Sequence, residues 1–189
     1  MGRIVVTEFV SLDGVMEDPG GSGDFEHGGW SFEFERGDEG DQFKTDETMD
    51  ADALLLGRVT YEGFAEAWPS QEGDYADKLN EMPKYVVSST LTEPEWNNST
   101  VISGDVADEV AKLRDKHDGD VIVHGSCQLV QELIENELVD ELRLMVHPVV
   151  LGQGKRLFGE TSDKRALKLA ETKAVGDDGV SVAVYERAT

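Results

Sequence analysis

The chain has 189 residues, 40 acids against 17 bases, a net charge of −23 and 39% hydrophobic residues. So acidic a protein has few groups to displace the counterions of nucleic acid, which is not an expected partner, and no apolar run approaches the roughly 20 residues of a membrane span. The length suits one domain over residues 1–189 with a sizeable core, and the single cysteine, Cys127, excludes an internal disulfide and fits a reducing cytoplasm.

Residues 3–10 form the first expected strand, and no charged-then-apolar leader precedes them, so no secretory signal is expected. Asp18 to Asp24, rich in glycine, predicts a flexible loop that ends at His27-Gly-Gly-Trp30. Glu33 to Asp52 carries nine acids and two bases and predicts a helix with Phe34, Phe43 and Met49 turned inward. Residues 53–56 then predict a short buried strand and 58–67 a helix. Residues 84–88 predict a strand closed by Ser88-Ser89, and 100–103 another. Asp105 is the expected cap of a helix through Lys116, with Val106, Val110 and Leu113 on one face. The apolar run Val121-Ile-Val123 predicts a strand that breaks at His124-Gly125-Ser126. Leu129, Val130, Leu133 and Ile134 then recur at helical spacing, with the helix continuing to Leu138. Residues 141–150 predict a long strand, and 167–175 and 180–187 a hairpin around Gly176-Asp-Asp-Gly179. The alternation predicts an α/β protein whose mainly parallel sheet is flanked by helices and ends in a C-terminal antiparallel hairpin.

Two strand-to-helix junctions carry the chemistry, at Gly57 to Thr60 and at Gly125 to Leu129. A helix start presents unpaired amides and the positive end of the dipole to an anion. Two such junctions suit a pyrophosphate and a further phosphate, hence a dinucleotide. Gly57 lets the backbone come close, Thr60 offers a hydroxyl, and Arg58 offers a fork for phosphate oxygens or else stays a solvated surface cation. The four histidines, at 27, 117, 124 and 147, have no zinc spacing with Cys127, so no metal is expected.

The segments Ser11-Leu-Asp-Gly14, His27-Gly-Gly-Trp30, Leu56-Gly-Arg-Val-Thr-Tyr61, Pro83 to Ser89, Glu95-Trp-Asn-Asn98, His124-Gly-Ser126, Leu138 to Arg143 and Pro148 to Phe158 fall in a specific order. That order resembles the dihydrofolate reductase fold, and more closely the stand-alone relatives of the reductase domain of the riboflavin-biosynthesis deaminase-reductase. No zinc motif precedes the first strand, so the deaminase domain is expected to be absent. The resemblance implies NADPH as cofactor, Gly125, Ser126, Cys127, Gln128 and Leu129 as the pyrophosphate elbow, and Ser88 and Ser89 beside the 2′-phosphate. Alone, the serines are ordinary turn residues. It also implies a homodimer, to which the stretch from Leu142 to Val150 could contribute. Cys127 is expected to be a small buried hydrophobe in place of a smaller residue, and His124 a packed or capping side chain. Gly152 to Phe158 is expected to be a glycine-supported loop that either edges the active site or is only a turn held over the sheet.

On the substrate side, the resemblance to dihydrofolate reductases points to a carboxylate on the first helix, near Asp41; a solvated face is the alternative for so acidic a helix. Asp13, just past the first strand's carboxyl end, lies where open parallel sheets place their ligands, or else forms an Asx-turn with Gly14. Trp30 could wall a flat heterocycle, with Tyr61 or Phe64 opposite, although aromatic residues at this spacing also fill cores. The implied activity is NADPH-dependent hydride transfer to a pterin-like or ribosylamino-pyrimidine-like substrate. The alternative is a protein that keeps the cofactor cleft without turnover. The charge suggests a salt-rich cytoplasm, where screening shortens the Debye length to about 3 Å at 1 M.

Overall fold

The computed structural model describes residues 1–188. In chain order the elements are β1 (Arg3–Ser11), a 3-10 turn (Trp30–Glu33), α1 (Gly37–Met49), β2 (Ala53–Gly57), α2 (Arg58–Ala67), α3 (Asp74–Glu81), β3 (Lys84–Val87), β4 (Ser99–Ile102), α4 (Val106–Lys116), β5 (Asp120–Val123), α5 (Cys127–Glu135), β6 (Glu141–His147), β7 (Leu167–Val175) and β8 (Val180–Arg187). They form one sheet in the order β4-β3-β2-β5-β1-β6-β8-β7. The six strands from β4 to β6 run parallel, and the β7–β8 hairpin adds two antiparallel strands at one edge.

Alternation along β1 assigns the two faces of the sheet. Ile4, Val6 and Val10 pack with Val106, Val110 and Leu113 of α4 and Leu129, Val130 and Leu133 of α5. Val5 joins Leu54, Leu56, Tyr61 of α2, Leu79 of α3 and Trp96 on the opposite face. Phe9 lies on that second face, against a smaller cluster built from Met145, Val175, Val180, Val182 and Val184, with Phe34 and Phe43. Helices α2 and α3 thus cover one face and α4 and α5 the other, with α1 packed beside α3 on the first.

Several expectations are corrected. Helix α1 begins only at Gly37, and Met49 is exposed; Phe34 and Phe43 do pack inward, but the residues that α1 buries are Gly40, Lys44, Glu47 and Thr48, three of them polar. Helix α3 escaped the sequence pattern because only Ala76 and Leu79 of its eight residues are buried. It is secured by Lys84, fully buried, whose Nζ donates to the carbonyls of Asn80, Met82 and Asn97. Helix α5 stops at Glu135, short of Leu138, because Glu137 takes a left-handed φ of 55°. Strand β6 stops at His147, ahead of Pro148, which has no N–H to give a ladder. Leu142 and Met145 are buried in the protein's own core. The loop after β1 is organised by Asp18, whose carboxylate accepts the amides of Ser22 and Gly23. A Cβ on Gly28 would lie 2.2 Å from that carboxylate.

The amino end of the sheet is held by charge. Arg3 pairs with Glu141, Arg143 with Asp120 at 2.9 Å and with Glu141 at 2.6 Å, and Arg114 with Asp140. Several of the scarce bases are thus engaged at the end opposite the strands' carboxyl ends.

Candidate functional site

At the carboxyl ends of β1, β2 and β5 the sheet splits. The β1–β5 ladder ends at Val6↔Val123 and the β2–β5 ladder at Leu55↔Val123, whereas β1 stays paired with β6 to Ser11↔His147. Beyond Val123 the chain leaves β5 towards α5, while β1 runs on without a partner on that side. Open α/β sheets bind their ligands in such a crevice, where helices leave neighbouring strands on opposite faces.

The two junctions meet at this crevice. Gly125 and Ser126 adopt consecutive left-handed conformations, with φ of 58° and 66°. The turn brings the Ser126 hydroxyl to the start of α2, where it accepts the Gly57 amide at 2.6 Å and donates to Thr60 Oγ1 at 3.0 Å. Closeness is possible only because both glycines lack side chains. A Cβ on Gly57 would lie 2.7 Å from Ser126 Oγ, and one on Gly125 would lie 2.6 Å from Thr60 Oγ1. Neither helix has a side-chain cap, so the amides of both first turns keep their capacity to bind an anion. The structure therefore brings Gly57, Thr60, Gly125 and Ser126 together, 69 positions apart between Gly57 and Ser126.

The other sequence-derived positions fall around this centre. Arg58 opens α2, is 43% exposed in its side chain, and grips both oxygens of Glu62 at 2.9 and 3.1 Å. The Ser88 hydroxyl accepts the amides of Thr90 and Leu91, closing the turn after β3, and Ser89 is exposed. In α5, Gln128 is exposed and Leu129 buried. Cys127 is only half-buried rather than a buried hydrophobe, because its Sγ reaches the Arg156 carbonyl at 3.0 Å and receives Gln131 Nε2 at 3.3 Å; partial burial pushes its thiol pKa up.

On the proposed substrate side the carboxylates are engaged. Asp13 accepts the Ser11 hydroxyl at 2.7 Å and the amides of Leu151 and Gly152 at 3.1 and 2.8 Å. The Ser11 hydroxyl first, then the two amides, hold its pKa down at about 2. It fastens the loop after β6 to the turn after β1. Asp41 points to solvent and pairs with Arg36 at 2.5 Å. Trp30 is buried, donates Nε1 to the Glu17 carbonyl and stands edge-on to His147. Tyr61 is buried beneath α2, with its hydroxyl accepting the Trp96 amide. Both rings are core, because the side of each helical turn that carries them faces the sheet. Phe64 is only partly buried and lies 5.9 Å from the His124 ring.

Further polar groups line the same end, and of these the sequence singled out only His124, as a packed or capping side chain. Thr7 donates to Glu47 at 2.8 Å and accepts Lys44 Nζ at 2.7 Å, and Lys44 pairs with Glu47, all three buried. His124 is half-buried as a residue, and its Nε2 is sealed and without a partner. Burial first, and the Lys44 charge second, lower its pKa to about 3, so it is neutral. Glu8, alternating with Thr7 on β1, is 6% exposed, and its Oε1 has no partner. Burial outweighs the Gly125 amide and the Lys44 charge and raises its pKa to about 8. The available signals were Thr7-Glu8 inside an otherwise apolar strand and Lys44 as one of two bases in an acidic helix.

A protein-family model described as the RibD C-terminal domain matches residues 3–181. Two uncharacterized proteins of Bacillus subtilis strain 168 are similar over most of the chain. YyaP is 31% identical over 188 residues, covering 97% of this chain and 94% of YyaP. YwjB is 32% identical over 167 residues, 88% of each. Among solved structures, a Shewanella sp. PV-4 protein assigned to riboflavin biosynthesis superposes with a TM-score of 0.79 at 22% identity, over 99% of both chains. The dihydrofolate reductase of Enterococcus faecalis, complexed with NADP(H), superposes at 0.65 and 17% identity, over 99% of this chain and 97% of that one. These structures share the fold.

Proposed function

The chain belongs to the RibD C-terminal domain family, and from that premise we propose that it is an NADPH-dependent reductase of a small heterocyclic substrate, pterin-like or ribosylamino-pyrimidine-like, working as a single domain. The observation that carries the proposal is the meeting of two uncapped helix starts through Gly57, Thr60, Gly125 and Ser126. An anion there meets amides and hydroxyls with no intervening Cβ, which fits a pyrophosphate. When bound, NADPH supplies the hydride.

The chain's own residues supply the rest. The first turns of α2 and α5, with Ser126 and Thr60, hold the pyrophosphate; Cys127, Gln128 and Leu129 contribute backbone, Arg58 a cation released from Glu62, and Ser88 and Ser89 flank the far phosphate. Phe64 and His124 offer an apolar and a neutral polar wall to a heterocycle. Asp13 acts as a positioning residue that fixes residues 151 and 152 beside the end of β1. The protein is further proposed to be a cytoplasmic homodimer in a salt-rich cell. Its charge of −23 supports the last point, and a groove of about 440 Å³, where Ile134, Phe158 and Tyr185 lie among charged residues such as Glu137, Lys164 and Arg165, supports a partner copy.

Purified protein titrated with NADPH, then supplied with a panel of pterins and pyrimidines, tests the proposal. Saturable binding followed by substrate-dependent NADPH oxidation is the expected result, and failure to bind any dinucleotide would overturn it. A second reading, a dinucleotide-binding protein without turnover, is favoured by one observation: Asp13 and Asp41 are already partnered within the protein. Binding without oxidation across the panel would select it.

A further inference from the structure

Glu8 is a charged residue type placed where the fold gives it no counterpart. It lies two residues past the end of the β1–β5 ladder, on the stretch of β1 that β5 no longer covers. Across the gap lies the turn that opens α5, whose Gly125 amide is near enough to favour the ionised form of the Glu8 carboxyl. Oε1 is buried without any hydrogen-bond partner. A buried polar atom left unpaired costs about 1–3 kcal/mol unless something satisfies it.

The charges around it are nearly balanced. From α1 come Lys44 and Glu47, which pair with each other and with Thr7. From α5 comes the Cys127 thiol, itself raised by burial, with Lys155 and Glu17 acting beyond it. His124, at the end of β5, is neutral, and among the described residues no unpaired cation is left to hold Glu8 as a carboxylate. An ionised Glu8 would also stand next to the elbow that the proposed pyrophosphate occupies, and two anions at one elbow repel.

Resting on the NADPH reading above, we infer that Glu8 is a contact residue of the dinucleotide crevice and meets the ligand as a neutral carboxylic acid. In that form the O–H donates to an oxygen of the bound dinucleotide, while the other carboxyl oxygen stays beside the Gly125 amide. An ionised Glu8 must first take up a proton, so dinucleotide affinity is linked to pH. With the group titrating near 8 in the free protein, affinity should fall about tenfold for each pH unit above that value. The ligand's own phosphates, with a second pKa of about 6, do not titrate in that range.

The test is NADPH binding followed by fluorescence from pH 7 to 9.5 at fixed ionic strength, for the wild type and Glu8→Gln. Calorimetry of the wild type in buffers of different ionisation enthalpy counts protons and does not depend on the variant folding. The expected result is an affinity that falls about tenfold per unit above pH 8 in the wild type and stays level in Glu8→Gln, with proton uptake approaching about one near pH 9. Binding with the same pH course in both proteins, or with no proton uptake, would overturn the role of Glu8 and leave the dinucleotide reading standing. No NADPH binding by either protein at any pH would overturn both.

Discussion

Thr60 and Gly125 close upon one another: any side chain at 125 would set its Cβ 2.6 Å from Thr60 Oγ1 and 2.9 Å from its methyl. The backbone at 125 is also left-handed, with φ of 58°, which costs a residue other than glycine about 1–3 kcal/mol. Gly125→Ala should therefore lose about 1–3 kcal/mol of stability by urea denaturation, and Gly125→Val more. The elbow should open in both, and NADPH affinity should fall at least about tenfold in protein that still melts cooperatively, since a tenfold loss needs only about 1.4 kcal/mol. Unaltered affinity in a folded variant would sink the pyrophosphate assignment.

Arg58 separates stability from binding. Its exposed pair with Glu62 is worth about 0.3–0.5 kcal/mol, so Arg58→Ala should hardly change a melt. A charge-assisted phosphate contact is worth about 1.5–3 kcal/mol, or about 10- to 150-fold in affinity. Loss for NADPH alone would locate the contact at the 2′-phosphate, and equal loss for NADH at the pyrophosphate. Identical titrations for wild type and variant, at one salt concentration, would reduce Arg58 to a surface cation.

Asp13 holds two amides of the following loop, and Asp13→Ala should speed hydrogen exchange at Leu151 and Gly152. Its folded pKa of about 2 lies below the ordinary 3.8. The stability it contributes is thus present above pH 3.8 and is lost as pH falls through about 2. Asp13→Asn should abolish that acid-range dependence. An unchanged exchange pattern in Asp13→Ala would remove its positioning role.

Glu8 and His124 should give opposite pH slopes to stability. The unfolded chain protonates histidine near 6.5, whereas folded His124 resists to about 3, so its contribution is full above 6.5 and falls on acidification, by about 1.4 kcal/mol per pH unit. Folded Glu8 keeps its proton to about 8 against an ordinary 4.5. Its contribution is full below 4.5 and is lost as pH rises through 8. Between 4.5 and 6.5 the two oppose each other. Urea midpoints for Glu8→Gln should therefore fall more steeply with acid than the wild type's in that window; parallel curves would show that Glu8 is ionised in the folded protein.

Lys44 and Glu47 form a buried pair, and removing one partner strands the other charge. Lys44→Met should cost about 3–5 kcal/mol, while Lys44→Met with Glu47→Leu should cost less than the two single changes summed. Additive losses would mean the pair is not coupled.

The sequence by itself determined the elements and their kinds, α3 excepted. Strict apolar alternation or continuity placed β1, β2 and β5, a clean three- and four-residue period placed α4, and the Gly176–Gly179 turn placed the hairpin, because backbone geometry and one buried face set those periods locally. It also marked Gly57 and Gly125, since a strand passing into a helix leaves its amides open wherever it lies in the fold. Only the tertiary structure decided that these two junctions touch, because strand order is a property of the sheet: the paired residues of β2 and β5 lie 68 positions apart in the chain, yet adjacent in the sheet, with Leu55 opposite Val123.

 Only the tertiary structure, likewise, sent Trp30 and Tyr61 into the core and drew Thr7, Glu8, Lys44, Glu47 and His124 to the carboxyl end of the sheet. Burial and partnering depend on what packs across the gap, and residues distant in the chain supply it.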